Sequence, residues 1–266
     1  MQINFISLAS GSSGNCFYIG TNDYGILIDA GIAVRNIKKR LHNAGFDLNK
    51  VRAAFITHDH IDHIKSAGVL SEKSFLPVYA TEKTHNAMDN SCIFRQKVYS
   101  GKRIIEKTMP VAFDDFTIEA FEISHDGCDC VGYTVCFNDK RFTLVTDLGY
   151  ICEKAKEHII KANYLVIEAN YDEQMLDSGK YPLSLKQRIK GNTGHLSNMQ
   201  TAEFLSENIN GKLSHVWLCH LSKENNTPQL AYKTVADKLE EKGINVNLYV
   251  LPRTSPSNVF VLGDEY

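Results

Sequence analysis

Several features that would fix a protein's class at once are missing here. No apolar run approaches the roughly 18 residues of a membrane span. The opening Met1-Gln-Ile-Asn-Phe-Ile-Ser-Leu-Ala-Ser10 has neither a basic leader nor a long apolar core. We therefore expect a cytoplasmic protein with no membrane partner. The cysteines are odd in number, seven, and mostly lie in strand-like runs, which predicts reduced thiols in place of a disulfide framework. An excess of positive charge is absent too. Lys and Arg total 29 against 31 Asp and Glu, a formal charge of −2 that excludes a globally basic nucleic-acid protein and leaves a local basic patch open. There is no short repeat, no low-complexity tract and no Pro- or Gly-rich boundary. With 266 residues and 43% hydrophobic content, one domain covering residues 1–266 is expected.

What is present centres on Phe55-Ile56-Thr57-His58-Asp59-His60-Ile61-Asp62-His63. Three histidines and two carboxylates fall within six residues, straight after the apolar run Val51 to Ile56. Divalent metals of borderline hardness take imidazole nitrogens and carboxylate oxygens. Alternate residues at an extended strand end point the same way, so His58 and His60 can share one metal. A helix starting near Ile61 would turn Asp62 and His63 towards a second position.

The remaining pattern places strands at Ile3 to Leu8, Cys16 to Ile19, Ile26 to Asp29, 51–57 and Pro77 to Ala80, with a run of strands over about 98–146 turning at Asp114-Asp115 and Asn138-Asp139. Helical spacing marks Val34, Ile37 and Leu41, ended by Gly45. Further helices are expected over about 62–72, from Thr81 towards Met88, over 151–161, in stretches up to 190, over 198–209, and from Pro228 with Ala231, Val235 and Leu239 on one face. Strands at Tyr164 to Glu168, 215–219, 246–250 and 258–262 complete the set. Each half reads as several strands followed by mixed αβ sequence. An α/β (α+β) four-layer αββα sandwich would bury both strand sets.

Two metals need more ligands than the cluster holds, and three later strand ends offer them. These are His125 in Ile118-Glu-Ala-Phe-Glu-Ile-Ser-His125, Asp147 in Phe142-Thr-Leu-Val-Thr-Asp147-Leu-Gly149, and His220 in Val216-Trp-Leu-Cys-His220. The small-residue loop Ser10-Gly-Ser-Ser-Gly-Asn15 matches no phosphate-loop pattern, and reads equally as a plain turn or as a site wall. Lys180, Lys186, Arg188 and Lys190 form a basic run that either tracks a phosphate backbone or is a solvated helix face. Ser197 or Asn198 suits the cap of a helix whose N-terminus favours an anion. The stretch Asn225-Asn226-Thr227-Pro228 suits another cap. Cys128-Asp-Cys130 lies beside His125, but seven ligands suffice without a thiolate. His42, His85, His158 and His215 fall outside the pattern and are expected to be surface or packing residues.

His58-x-His60-x-Asp62-His63 with His125, Asp147 and His220 in order resembles the metal-binding pattern of the metallo-β-lactamase-fold hydrolases. Ser10-Gly-Ser-Ser-Gly-Asn15, Glu168-Ala-Asn-Tyr-Asp-Glu-Gln-Met-Leu176, Gly194-His195-Leu-Ser-Asn198 and Cys219-His220-Leu-Ser-Lys-Glu-Asn-Asn226 extend the resemblance, over essentially the whole chain, to the YycJ/WalJ-like branch. The resemblance implies the αββα fold, two divalent ions (Zn²⁺ or Mn²⁺) and phosphodiesterase action on nucleic acid, DNA ahead of RNA, by an exonuclease. By the same resemblance His58, His60 and His125 hold one ion, Asp62, His63 and His220 the other, and Asp147 bridges them. Such a pair shares a water and presents it as hydroxide to phosphorus. Asp62 would orient that nucleophile, and the non-ligand His195 would serve the leaving group. Ser13, Asn15, Arg188, Ser197 and Asn226 are candidate substrate contacts.

Two other readings stay open on the sequence. A small-molecule hydrolase of the same fold would act on a thioester, a lactone or a cyclic phosphodiester. A binding module that keeps only the fold would be expected to lose ligands, and here all seven positions are filled. About 72 residues separate Asp147 from His220, too few for the inserted domain of β-CASP nucleases, and the 46 after His220 read as one helix and two strands, unlike the helical region of glyoxalase II-type thioester hydrolases.

Overall fold

Each pair of neighbouring parallel strands needs a crossover long enough for a helix, and the described residues make six such pairs. The computed structural model describes residues 2–107, 109–209 and 211–263. They fall into two units, each with its own seven-stranded sheet.

The first unit takes in Met1–Glu106, Gly127–Cys130 and Pro252–Tyr266. Its strands are β1 (Ile3–Ala9), β2 (Cys16–Gly20), β3 (Gly25–Ile28), β4 (Val51–Phe55), β5 (Val78–Ala80) and β6 (Lys102–Ile104), adjacent in chain order, with Phe260–Leu262 added beside β1. Pairing is antiparallel as far as β3 and parallel from β3 to β6. The crossovers carry α1 (Val34–Asn43), α2 (Ile61–Ile64) with α3 (Ala67–Ser74), and α4 (Glu82–Asn90). Strands β1 to β3 are buried along their whole length, as near-continuous apolar runs require. Ile37 and Leu41 of α1 and Leu70 of α3 join Ile6, Leu27, Ala54 and Ile56 in one core.

The second unit takes in Lys107–Asp126 and Val131–Leu251. Strands β7 (Val111–Phe113), β8 (Phe116–Glu122), β9 (Val131–Phe137) and β10 (Lys140–Val145) form an antiparallel meander. It continues in parallel through β11 (Tyr164–Glu168), β12 (His215–Cys219) and β13 (Asn247–Val250). Its crossovers carry α5 (Glu153–Ile159), then α6 (Glu173–Ser178), α7 (Leu183–Lys190) and α8 (Asn198–Asn208), and finally α9 (Pro228–Glu241). The two expected hairpin turns are present: Phe113 pairs with Phe116 and Phe137 with Lys140, leaving two-residue loops in which Asp114 and Asn138 both have φ of 47°.

Three expectations need correction. The helix foreseen over 62–72 is two helices, because at Ser66 the backbone N–H donates to Ala30 O and the hydroxyl to Ile32 O at 2.6 Å, bending the chain back onto the end of β3. The strand run foreseen from 98 begins only at Lys102. The helical stretch up to 190 breaks at Gly179 to Pro182, where proline opens α7 as its N-cap. The caps fall where the sequence put them. Ser197 closes a capping box with Gln200, and Thr227 caps α9 with Pro228 in its first turn.

Of the histidines outside the pattern, His42 is exposed and the other three serve packing. His85 is buried on Arg103 O, His215 stacks on Trp217, and His158 stacks on Phe121 with ring centroids 4.0 Å apart while meeting the Thr134 hydroxyl at 3.0 Å. Burial pushes the His158 imidazole down to about 4, with Glu119 opposing the shift. The unfolded chain then takes up the proton first, so this contribution to stability is complete above about pH 6.5 and is lost as pH falls towards 4. His158→Gln is expected to lose less stability than the wild type between pH 7 and pH 4.5, by a difference on the order of 2 kcal/mol in urea unfolding. Parallel losses in the two proteins would contradict it.

Candidate functional site

In open sheets with parallel strands, reactive groups gather beyond the carboxyl ends, next to the point where strand direction changes. Both units follow that rule. In the first, direction changes at β3, and Asp29 follows its last residue. In the second it changes at β10, and Asp147 follows shortly after. Asp29, Asp147 and His220 all have left-handed backbone, with φ of 61°, 58° and 53°. Such geometry is uncommon for residues other than glycine and collects at functional sites.

The first unit's cluster rests on Asp29, which is fully buried. The Thr57 N–H donates to Asp29 Oδ1 at 2.9 Å, the Thr57 hydroxyl lies 3.0 Å from both carboxylate oxygens, and His63 Nδ1–H donates to Oδ2 at 2.7 Å. Burial pushes the Asp29 carboxyl up, opposed by the charge and hydrogen bond of His63. With Nδ1 committed, His63 presents Nε2 as its lone-pair nitrogen. His58 has its Nδ1 3.0 Å from the Thr57 hydroxyl. The rings of His60 and His63 lie 4.6 Å and 4.1 Å from that of His58. His60 is the extended residue before α2, so Asp62 and His63 swing round on the first turn of that helix. The Asn15 amide donates to Gly11 O at 3.2 Å and Asp62 Oδ2 at 3.4 Å and lies 3.0 Å from His63 Nε2, while its backbone N–H meets Asp62 O at 2.7 Å. Gly31 passes so near that a Cβ there would sit 1.6 Å from Asp62 O. Asp59 faces elsewhere and accepts from the Cys128 N–H at 2.8 Å.

The second unit's cluster rests on Glu168 at the end of β11, also fully buried. It accepts from His195 Nδ1 at 2.8 Å, His220 Nδ1 at 3.0 Å and the N–H groups of Leu148 at 2.7 Å and Leu196 at 3.2 Å. Burial acts to raise its carboxyl, but attraction to His195 and the bonds from both histidines override it and hold the group below the usual range. Burial likewise acts to lower His195, and the Glu168 charge and hydrogen bond reverse the sign and raise it. Asp147, Glu168, His195 and His220 each bring a donor atom within 4.8 Å of the others. His125 donates through Nδ1 to Gly194 O at 3.0 Å and has its Nε2 3.7 Å from Asp147 Oδ1; burial lowers its imidazole. His195 keeps 21% of its side chain exposed against 2% for Asp147, so within this cluster His195 is the group a substrate can reach.

The expected substrate contacts are placed unevenly. Ser13 is exposed on the Ser10–Asn15 loop, whose end Asn15 supports Asp62. Ser197 is buried, capping α8 and meeting Glu173 Oε1 at 3.0 Å. Asn226 is buried in a reciprocal amide pair with Asn198. Arg188 is paired with Asp126 at 2.6 Å, and Lys186 and Lys190 both reach Asp177. Asp29 and Glu168 were given no role from the sequence. Their signal was the one that marked Asp147, an acid closing an apolar strand before small residues: Ile26 to Asp29 before Ala30-Gly31, and Tyr164 to Glu168 before Ala169.

The donor chemistry suits divalent metal. Among the described residues the donor groups contain histidines and carboxylates and no cysteine, the set that zinc or manganese accepts. His58, His63, His125 and His220 all engage Nδ1 with a neighbouring oxygen. Such outer partners are what orient a metal-ligating imidazole and leave Nε2 for the ion.

Comparison with known proteins agrees with this chemistry. The model of the beta-lactamase superfamily domain matches residues 24–216. The chain is 38% identical over 247 residues to exodeoxyribonuclease YycJ of Bacillus anthracis, covering 92% of each chain. It is 39% identical over 250 residues to exodeoxyribonuclease WalJ of Streptococcus pneumoniae serotype 2, covering 94% of this chain and 93% of that one. Among solved structures, the metallo-beta-lactamase fold protein YhfI of Bacillus subtilis has a TM-score of 0.73 at 16% identity, covering 98% of this chain and 100% of its own. Zn²⁺-bound PqqB of Methylobacterium extorquens has a TM-score of 0.72 at 14% identity, covering 96% and 99%. The fold is thus the metallo-β-lactamase fold expected from the sequence.

Removing the Asp29 carboxylate strands the Thr57 N–H, the Thr57 hydroxyl and His63 Nδ1 in a buried position. Asp29→Ala is expected to lose on the order of 3 kcal/mol of stability, measured by urea unfolding at pH 7. An unchanged midpoint would show that this carboxylate does not hold the cluster.

Proposed function

The chain belongs to the β-lactamase superfamily, in its YycJ/WalJ branch, and is a metal-dependent hydrolase; from that premise we propose that it is a two-metal phosphodiesterase which removes nucleotides from an end of DNA. The observation that carries this reading is the pairing of a buried carboxylate with a histidine at each strand-end cluster, Asp29 with His63 and Glu168 with His220. It supports metal ligation through Nε2 in both units. The relatives named exodeoxyribonuclease support the choice of DNA.

In this reading residues 1–266 make one catalytic domain. His58, His60 and His125 would hold one ion, Asp62, His63 and His220 the other, and Asp147 both. When bound, two divalent ions supply an activated water and neutralise charge on the phosphoryl oxygens. The chain's own groups do the rest. Asp29 and Thr57 fix the rings of His63 and His58, and Glu168 fixes that of His220. Asp62, held by Asn15 and with 19% of its side chain exposed, orients the attacking water. Glu168 raises the proton affinity of His195, whose outer nitrogen faces the leaving oxygen as its proton donor. The buried carboxylate opposes the discharging effect of burial on this imidazole.

Hydrolysis of end-labelled single- and double-stranded DNA and RNA by Mn²⁺- or Zn²⁺-loaded protein tests the reading. A DNA ladder shortening from one end is expected, abolished in Asp62→Ala and slowed about 100-fold or more in His195→Ala with metal content retained. Turnover of a thioester or a small cyclic phosphodiester, with every polymer left intact, would point to a small-molecule hydrolase instead.

A further inference from the structure

Most cations near the two clusters are already paired. Arg188, Lys186 and Lys190 serve Asp126 and Asp177, and Arg40 of α1 donates to Leu8 O and Thr254 O. Arg253 differs. It follows the sheet of the second unit, in the Pro252 to Val259 segment that returns along β1. Among the described residues that segment is fixed by four bonds: Ser10 N–H to Arg253 O at 3.2 Å, the Arg40 guanidinium to Thr254 O at 2.6 Å, Ser257 N–H to Ser7 O at 2.9 Å, and Ser7 N–H to the Ser257 hydroxyl at 3.0 Å. The Arg253 side chain is only partly exposed, its Nε is buried without a hydrogen-bond partner, and no carboxylate among the described residues pairs with it. Leaving a guanidinium half-desolvated and uncompensated is costly, which makes it a place where an anion is welcome.

The surroundings fit one kind of anion. The Arg253 stem lies over Gly11, so that a Cβ on Gly11 would stand 3.4 Å from its Cβ and Cγ and 3.6 Å from Nε. Gly11 opens the loop carrying the exposed hydroxyls of Ser12 and Ser13. The N–H groups of Gly11, Ser12 and Ser13 donate to no acceptor among the described residues, whereas those of Gly14 and Asn15 are used, on Gly11 O and Asp62 O. Consecutive free amides beside a guanidinium are the donor set of an oxyanion cradle. The same loop reaches the reacting side: Gly11 O accepts from the Asn15 amide, which also holds Asp62.

We propose that Arg253 and the Gly11–Ser13 segment form a phosphate-binding site that grips the substrate strand at a phosphate other than the one being hydrolysed. This rests on the nuclease reading above and adds to it how the strand is held. A chain of net charge −2 needs such a local cation to hold a polyanion.

The test compares wild type, Arg253→Ala and Arg253→Lys, all metal-loaded, on a labelled single-stranded DNA oligonucleotide and on bis(p-nitrophenyl) phosphate, which has one phosphate only. On DNA, Arg253→Ala is expected to raise KM about tenfold with kcat little changed, and to flatten the dependence of log(kcat/KM) on log[salt] by about 0.7. Arg253→Lys should restore most of the slope, and all three proteins should turn over the small ester alike. If wild type cuts DNA and Arg253→Ala matches it in KM and slope, the inference fails while the nuclease reading stands. If Arg253→Ala is equally impaired on the small ester, or melts at a lower temperature while Arg253→Lys does not rescue the salt slope, Arg253 is structural and the inference again fails. If wild type turns over the small ester but neither binds nor cuts DNA, the nuclease reading falls and this site with it.

Discussion

A carboxylate without water must be met by hydrogen-bond donors or lose its charge. Asp29 and Glu168 are both fully buried, and each is met by imidazole N–H and backbone N–H groups. That requirement sets much else. Satisfying Asp29 fixes the Thr57 backbone and the His63 ring. Satisfying Glu168 fixes the rings of His195 and His220 and the turns at Leu148 and Leu196. A ring held through Nδ1 has one nitrogen left, so the same bonds that relieve the buried charge also point a lone pair outward. The left-handed backbone at Asp29, Asp147 and His220 is the local cost of ending a strand and delivering a side chain in a single residue.

Glu168 also divides labour between two histidines. Both accept its influence through Nδ1, yet only His195 retains appreciable exposure, 21% against 3% for His220. One carboxylate thus fixes the His220 ring and raises the proton affinity of His195. Similar economy governs the cations. Of the basic run, open in the sequence to a phosphate track or a solvated face, Arg188 and Lys190 pair with Asp126 and Asp177, whereas Arg253, isolated in the sequence, has a buried Nε without a hydrogen-bond partner among the described residues.

How legible all this was in the sequence depended on how local the cause was. Buried strands showed because apolar runs are contiguous, and the hairpin turns at Asp114-Asp115 and Asn138-Asp139 showed because two polar residues between strands have few alternatives. The histidines and carboxylates that gather at the two clusters showed because four of them lie within six residues and the others close strands. The split between α2 and α3 did not show, since it is caused by Ser66 bonding back to Ala30 and Ile32, more than 30 residues earlier. The roles of Asp29 and Glu168 were hidden for the same reason, their partners lying 34 and 52 residues away at His63 and His220. Asn226 sits in the stretch expected to cap a helix, and the sequence did not show that its amide is locked to Asn198, 28 residues back.

If buried carboxylates prepare histidine donors for two metal ions, anomalous diffraction from metal-loaded crystals of the purified protein, recorded at the manganese and zinc edges, will show two peaks per chain. One is expected beside His58, His60 and His125 and one beside Asp62, His63 and His220, with Asp147 near both. A single peak, or none at these histidines after loading, would contradict it.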